Sequence, residues 1–468
     1  MKKSLPLLFR LSLVLGVLSL APQQARPQPQ SSPASAGMQQ EFQAAMAAED
    51  SGDLDSAQSI LLSLHQRHPG IFEIDESLGL LYAGRENYSQ ALALLQAAAR
   101  ERPRSAVAHV NLGAALYKLH RNPDALGEFE TAVRLDARSV TAQQSLGQVL
   151  LEEHKPERAV EAFSAALALK PGDDDLTFGL ASALAACGRL DDAAHTLSLS
   201  PAVDRSAAAQ SLLGEIAEKK GAYEEAVRRF GRAQELEPSE ANAWMVGVEF
   251  LRHWTFDAAV REFEAAAAKF PESVRMKLGL GAAYFGGAKY DQAVPVFADL
   301  LAADPDNALY AEMLGMSCTA VVQQAQPRCS ALTGYAEAHP RDARVAAYAA
   351  AMLLDGTAGD EQLGVAEKLL TGAIAADPKL ADAQFELGQL RQNRAQWAES
   401  IPPLERAIAL KPDFSQAHYR LALAYWRTGR KQEGQTEMDL QKKYSKQQAE
   451  DLDRRLRQIT TFLVDVRN

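Results

Sequence analysis

Alanine returns along this chain at a nearly constant interval. Ala57, Ala91, Ala125, Ala159, Ala193, Ala226, Ala259 and Ala293 are separated by steps of 34, 34, 34, 34, 33, 33 and 34 residues. Glycine keeps the same beat at Gly79, Gly113, Gly147, Gly214, Gly247, Gly281 and Gly315. Proline closes most periods, at Pro69, Pro103, Pro171, Pro238, Pro271, Pro305, Pro340, Pro378 and Pro412. A fixed period of this size points to a stack of supersecondary units, each burying its apolar face against its neighbours.

The third period, residues 106–139, shows what each unit must be. Leu112, Leu116, Ala125, Phe129 and Ala132 recur at helical spacings within each half. Asn122-Pro123 interrupts the pattern between the halves, so the spacing predicts two helices joined by a tight turn. Each helix has about 14 residues and spans roughly 21 Å. Gly113 on the first helix is expected to face Ala125 on the second, letting the axes come close. The closing proline has no N–H and cannot continue the helix.

These residues resemble the tetratricopeptide repeat. That family's pattern is matched in order by Leu146, Gly147, Leu150, Ala159, Phe163, Ala166 and Pro171, and again by Leu78, Gly79, Tyr82, Ala91, Leu95, Ala98 and Pro103. The joint register of glycine, alanine, aromatic and proline carries the resemblance, since the chain is rich in alanine throughout. The resemblance implies an all-α fold, a right-handed superhelical solenoid of about twelve helix-turn-helix repeats.

Twelve repeats are read at 38–71, 72–105, 106–139, 140–173, 174–206, 207–239, 240–273, 274–307, 308–340, 341–380, 381–414 and 415–448. Three depart from the pattern. The fifth ends early in Ser-Leu-Ser-Pro. The ninth has the stretch from Val321 to Pro327 where a compact turn belongs, and the tenth has an inserted loop from Asp355 to Asp360. Such a loop is read either as a binding element or as neutral variation in a tolerant place. Leu452, Leu456, Ile459, Phe462, Leu463 and Val466 form one apolar stripe. Residues 449–468 are therefore expected to be a separate capping helix, with a partner-binding helix as the alternative.

At the other end, Lys2, Lys3 and Arg10 precede an apolar run over 11–21. This has the form of a secretory signal and is too short for a full membrane span. Residues 1–25 are read as a cleaved signal, or else as a retained inner-membrane anchor, the only expected route to a membrane. Residues 26–37, rich in Pro, Gln and Ser, are read as a disordered tether. The expected location is periplasmic or secreted.

Composition narrows the function. Without residues 1–25 the chain carries 46 basic against 60 acidic side chains, a balance of −14, which argues against nucleic acid as a partner. The three cysteines make no disulfide framework. Cys318 and Cys329 fall on the two helices of the ninth repeat, either as an exported protein's disulfide or as two buried thiols. His65 and His68 lack the further ligands a metal site needs. Gly279-Leu280-Gly281 sits at a repeat's own glycine position with no strand before it, so it is no dinucleotide loop. No catalytic residue, metal or cofactor is expected, and no enzyme.

The family resemblance implies that partners lie along the first helices, on a concave face. There the seventh and eighth repeats offer an apolar patch: Trp244, Met245, Val248 and Leu251 with Arg252, then Arg275, Leu278, Ala282 and Phe285. The sixth offers Glu215, Glu218 and Lys219, and the eleventh Glu386, Gln389 and Gln392. An apolar patch edged by charge suits a peptide or protein surface. The competing reading places Trp244 and Leu251 in the core. The asparagines and lysines of the family's carboxylate clamp are absent, Asn111 standing alone, as is an asparagine ladder. The expected function is a non-enzymatic scaffold or adaptor in the cell envelope. The alternative is an accessory periplasmic module of a polysaccharide export or envelope-biogenesis machine.

Overall fold

Each of the nine closing prolines stands two residues beyond the last helical residue of its repeat: helices end at Arg67, Glu101, Leu169, Leu236, Lys269, Ala303, Ala338, Ala376 and Leu410. The residue between is pushed toward an extended conformation by the proline that follows, as at Arg102 (φ −125°, ψ 71°) and Glu237 (φ −136°, ψ 91°). Local chemistry thus sets where these nine second helices stop.

The computed structural model describes residues 33–321, 327–354 and 359–467, with side chains from 36 to 451. These residues form 24 α-helices, hence twelve pairs, and two short 3-10 helices. No strand occurs among the described residues. They divide into two compact bodies between Lys155 and Pro156, within the turn of the fourth repeat. The first body holds repeats one to three and the first helix of the fourth. The second holds everything after it. In both, first and second helices pack antiparallel and each second helix packs on the next first helix.

The turn inside a repeat has one recurrent form. Among the described residues, a single residue of the turn adopts positive φ in ten repeats: Gly52, Glu86, His120, His154, Gly188, Gly221, Trp254, Ala288, Ala395 and Gly429. The next N–H then bonds back five residues, as Asn87 to Tyr82 and Arg121 to Leu116, both at 2.9 Å. This satisfies the last carbonyls of the first helix. The left-handed turn therefore falls at Leu119–Arg121 in the third repeat, and Asn122-Pro123 opens the second helix.

The repeat glycines have a different neighbour from the one expected. The space beside Gly113 is filled by the Phe129 ring, 2.7 Å from where a Cβ would lie, so the aromatic, rather than Ala125, demands the glycine. The same pairing, sixteen residues apart, joins Gly79 to Leu95, Gly214 to Phe230, Gly247 to Phe263, Gly281 to Phe297 and Gly388 to Leu404. Phe263 is fully buried between Gly247 and Gly279, the latter on the following helix. The Gly279-Leu280-Gly281 run is thus two packing positions.

Both ends of the solenoid differ from expectation. Residues 33–37, read as tether, belong to the first helix, Pro33–Asp50, which proline opens well because its missing N–H is not needed there. Residues 1–32, with the signal or anchor, lie outside the described residues. At the other end there is no separate cap. The last helix runs unbroken from Lys431 to Arg467; no proline follows Pro412 and no glycine follows Gly434 to break it. It packs along helix Ser415–Arg427, and its backbone also approaches helix Tyr223–Leu236.

Candidate functional site

Six apolar residues of the patch, each partly buried, pack on three different clusters. Trp244, Val248 and Leu251 pack on the core around Ala243, Phe263 and Met276. Met245 packs on the cluster around Phe230 and Val246. Leu278 and Phe285 pack on the cluster that begins at Ala293. Arg252 is bound to Glu218 of the preceding repeat and lies 3.5 Å from Glu249.

Trp244 joins core and groove. Its indole tilts against the buried Phe263 ring, with centroids 5.6 Å apart. Arg275 stands over it with its guanidinium carbon 4.4 Å from the centroid. The indole remains half-buried. A cation over an indole is held by the ring quadrupole, so the first helices of repeats seven and eight are coupled through this pair. Phe285 meets Tyr290 edge-on at 5.4 Å. Beside the patch, two carboxyls are pushed up to about 7. Burial is the main cause at Glu215, and at Glu249 burial is reinforced by Glu218.

A second region includes the groove positions Glu386 and Gln389 of the eleventh repeat. A cavity of about 770 Å³ opens among the first helices of repeats nine to twelve and the last helix. Its apolar wall is Cys318, Val321, Ala351, Met352 and Phe385; its polar wall includes Glu386, Gln389, Gln416, Tyr419 and Arg420, with Gln441 and Ser445 from the last helix. Arg420 donates to Gln389 Oε1 at 3.1 Å and to Gln392 Oε1 at 3.4 Å. Glu386 Oε2 is shielded from solvent and has no hydrogen-bond partner. Burial pushes the Glu386 carboxyl up to about 8, against the pull of Arg420 and with help from Asp382.

The ninth repeat forms part of that wall through Cys318, Thr319 and Val321. Cys318 and Cys329 are joined as a disulfide, with Cα atoms 6.0 Å apart. Its second helix shrinks to a 3-10 turn, Pro327–Ser330, and Ala331–Ala338. Most of the ninth repeat's unusual stretch and of the tenth repeat's loop, residues 322–326 and 355–358, lies outside the described residues. Among the described residues no group of three or more His, Cys, Asp or Glu could hold a metal ion, and His65 instead binds buried Asp75 at 2.6 Å. Asn111 is taken up by Glu76, at 3.0 Å. No helix among the described residues is long and apolar enough to cross a membrane.

A family model described as Tetratricopeptide repeat matches residues 150–216 and 255–316. A second of the same description matches 42–106, 76–140 and 385–434. Together they cover more than half of the chain. No curated protein matches it in sequence. Among solved structures the chain is similar to PilF of Pseudomonas aeruginosa, at 18% identity over 44% of this chain and 95% of that one, TM-score 0.38. It is similar to MamA of Desulfovibrio magneticus, at 19% over 34% and 91%, TM-score 0.33. It is also similar to a tetratricopeptide repeat protein from Parabacteroides merdae, at 14% over 60% and 99%, TM-score 0.36.

Proposed function

This chain belongs to the tetratricopeptide repeat family, and from that premise we propose that it is a non-enzymatic interaction scaffold of the cell envelope. The repeats support binding of protein partners. The envelope location rests on the charged and apolar pattern of residues 1–25. The partner is a peptide segment or protein surface laid along the first helices, with Trp244 and Phe285 as its main anchors. The observation that carries this reading is Trp244 itself: one part of the indole is fixed against Phe263, and the rest stays half-open beneath Arg275. Held in this way, it loses little side-chain freedom when a partner covers it.

Affinity capture from envelope extract, with the full chain beside Trp244→Ala and Phe285→Ala, tests the reading. A partner held by the unsubstituted chain should bind Trp244→Ala about 2 kcal/mol or more weaker. Unchanged affinity in a variant that folds normally removes Trp244 from the site. Fractionation of the tagged chain tests the location, and a purely cytoplasmic product contradicts it.

A further inference from the structure

We propose that the cavity among repeats nine to twelve binds a carboxylate of a peptide partner, gripped by the Arg420 guanidinium and by the Glu386 carboxyl acting as hydrogen-bond donor. The inference takes from the scaffold reading only that the partner is a polypeptide; its residues are different.

The argument starts from the two ionisable groups that matter here. Arg420 is fixed by Gln389 and Gln392, so its orientation is set before any ligand arrives, and a guanidinium has more donors than these two glutamines occupy. Glu386 has a shielded oxygen with no partner, a costly arrangement for an ionised carboxylate. The other charge acting on it is Asp382 on its own helix, which disfavours ionisation. No further charged residue lines the cavity from the ninth or tenth repeat or from the last helix. Near neutrality Glu386 is therefore mostly the neutral acid, held up to about 8 chiefly by burial. A neutral acid donates an O–H.

The cavity then presents one cation and one acid proton inside a chain of net charge −11. A ligand carboxylate satisfies both donors. Val321, Met352 and Phe385 cover its neighbouring side chain. As Glu386 ionises, its proton is lost and its charge repels the ligand, so binding weakens with rising pH.

The test uses the full chain and a randomised octapeptide library in two forms, free acid and C-terminal amide, with retained peptides sequenced. Retention of the free-acid form alone assigns a C-terminal carboxylate. Enrichment of Asp or Glu in both forms assigns a side chain. Either supports the proposal if retention falls at least tenfold in Arg420→Gln. Between pH 7 and 9 retention by the unsubstituted chain should fall about tenfold, the change in neutral Glu386 across a midpoint near 8. Glu386→Gln, which keeps a neutral donor, should bind at pH 7 and lose that dependence. Circular dichroism checks folding, and Arg420→Lys serves should Arg420→Gln melt early, with a smaller loss expected.

The proposal is overturned by equal retention in Arg420→Gln, by selection of peptides without carboxylates, by a flat pH profile in the unsubstituted chain, or by no retention at all. Binding of an oligogalacturonate in place of every peptide also overturns it. Peptides lost in Trp244→Ala but kept in Arg420→Gln would sink this inference and leave the scaffold reading standing.

Discussion

Repeats three and nine have the same helix-turn-helix plan and are held together differently. Repeat three uses local means throughout: the Phe129 ring against Gly113, a left-handed residue at His120, and His109 bridging to Glu128 at 2.6 Å and to the Pro103 carbonyl at 3.1 Å. In repeat nine the space at Gly315 is filled by Tyr348 of the following repeat, and no described residue of its turn has positive φ. A disulfide links its halves instead. Where the local pattern lapses, covalent and neighbouring contacts replace it, and there the wall of the cavity forms. The cavity draws on both: the irregular ninth repeat supplies Cys318 and Val321, and the regular eleventh and twelfth supply Glu386 and Arg420.

The largest expected effect breaks the substitute in repeat nine. Cys318→Ser with Cys329→Ser should lower stability by roughly 3 kcal/mol, the closure entropy of a loop this short, read from urea unfolding. No loss would mean that packing alone holds the repeat. Next comes the regular pattern. Gly247→Ala drives a Cβ to 2.4 Å from the buried Phe263 ring and should cost about 2 kcal/mol. Gly334→Ala, with open space around it, serves as control, and equal melting of the two would reject the glycine–aromatic account.

Smaller effects refine the picture of the turns. Ala288 has φ +57°, a conformation that costs an L-residue about 1 kcal/mol. Ala288→Gly should therefore raise stability by up to that amount in thermal unfolding; a fall would show that the alanine methyl has a role of its own. The smallest effect concerns His418, which, like His109, bridges a carboxylate and a proline carbonyl: it reaches Glu437 at 2.5 Å and the Pro412 carbonyl at 2.9 Å. With acceptors at both nitrogens, the ring is favoured as the imidazolium. Burial opposes that charge, yet Glu437 and the Pro412 carbonyl prevail and raise the pKa above its ordinary 6.5. The folded chain then holds the extra proton more tightly than the unfolded one. This contribution is full below about pH 6.5 and is lost as pH rises through the raised folded value. His418→Gln should flatten stability against pH over that interval, and an unchanged slope would contradict the assignment.

Much of this could be read from spacing alone. The period located the repeats, and each closing proline marked a helix end. The residues that form the disulfide were visible as a pair, although the choice between bond and free thiols was not. The sixteen-residue step from glycine to aromatic was present, but the alanine in step drew attention to the wrong neighbour. The apolar stripe at the end of the chain suggested a separate cap, where one helix runs through from Lys431 to Arg467. The cavity was not legible, because Glu386 and Arg420 stand on different repeats and Gln441 and Ser445 come from the last helix. At single positions they look like solvated surface. Trp244 was read as either a groove or a core residue, and its contact with Phe263 depends on how the two helices cross.

The central claim is that the first helices hold a polypeptide through fixed anchors. The most direct measurement is the affinity of the captured partner for the purified full chain and for Trp244→Ala, by isothermal titration calorimetry, with melting curves of both. The account predicts a loss of about 2 kcal/mol or more at equal folding. Equal affinity in two equally folded proteins would contradict it.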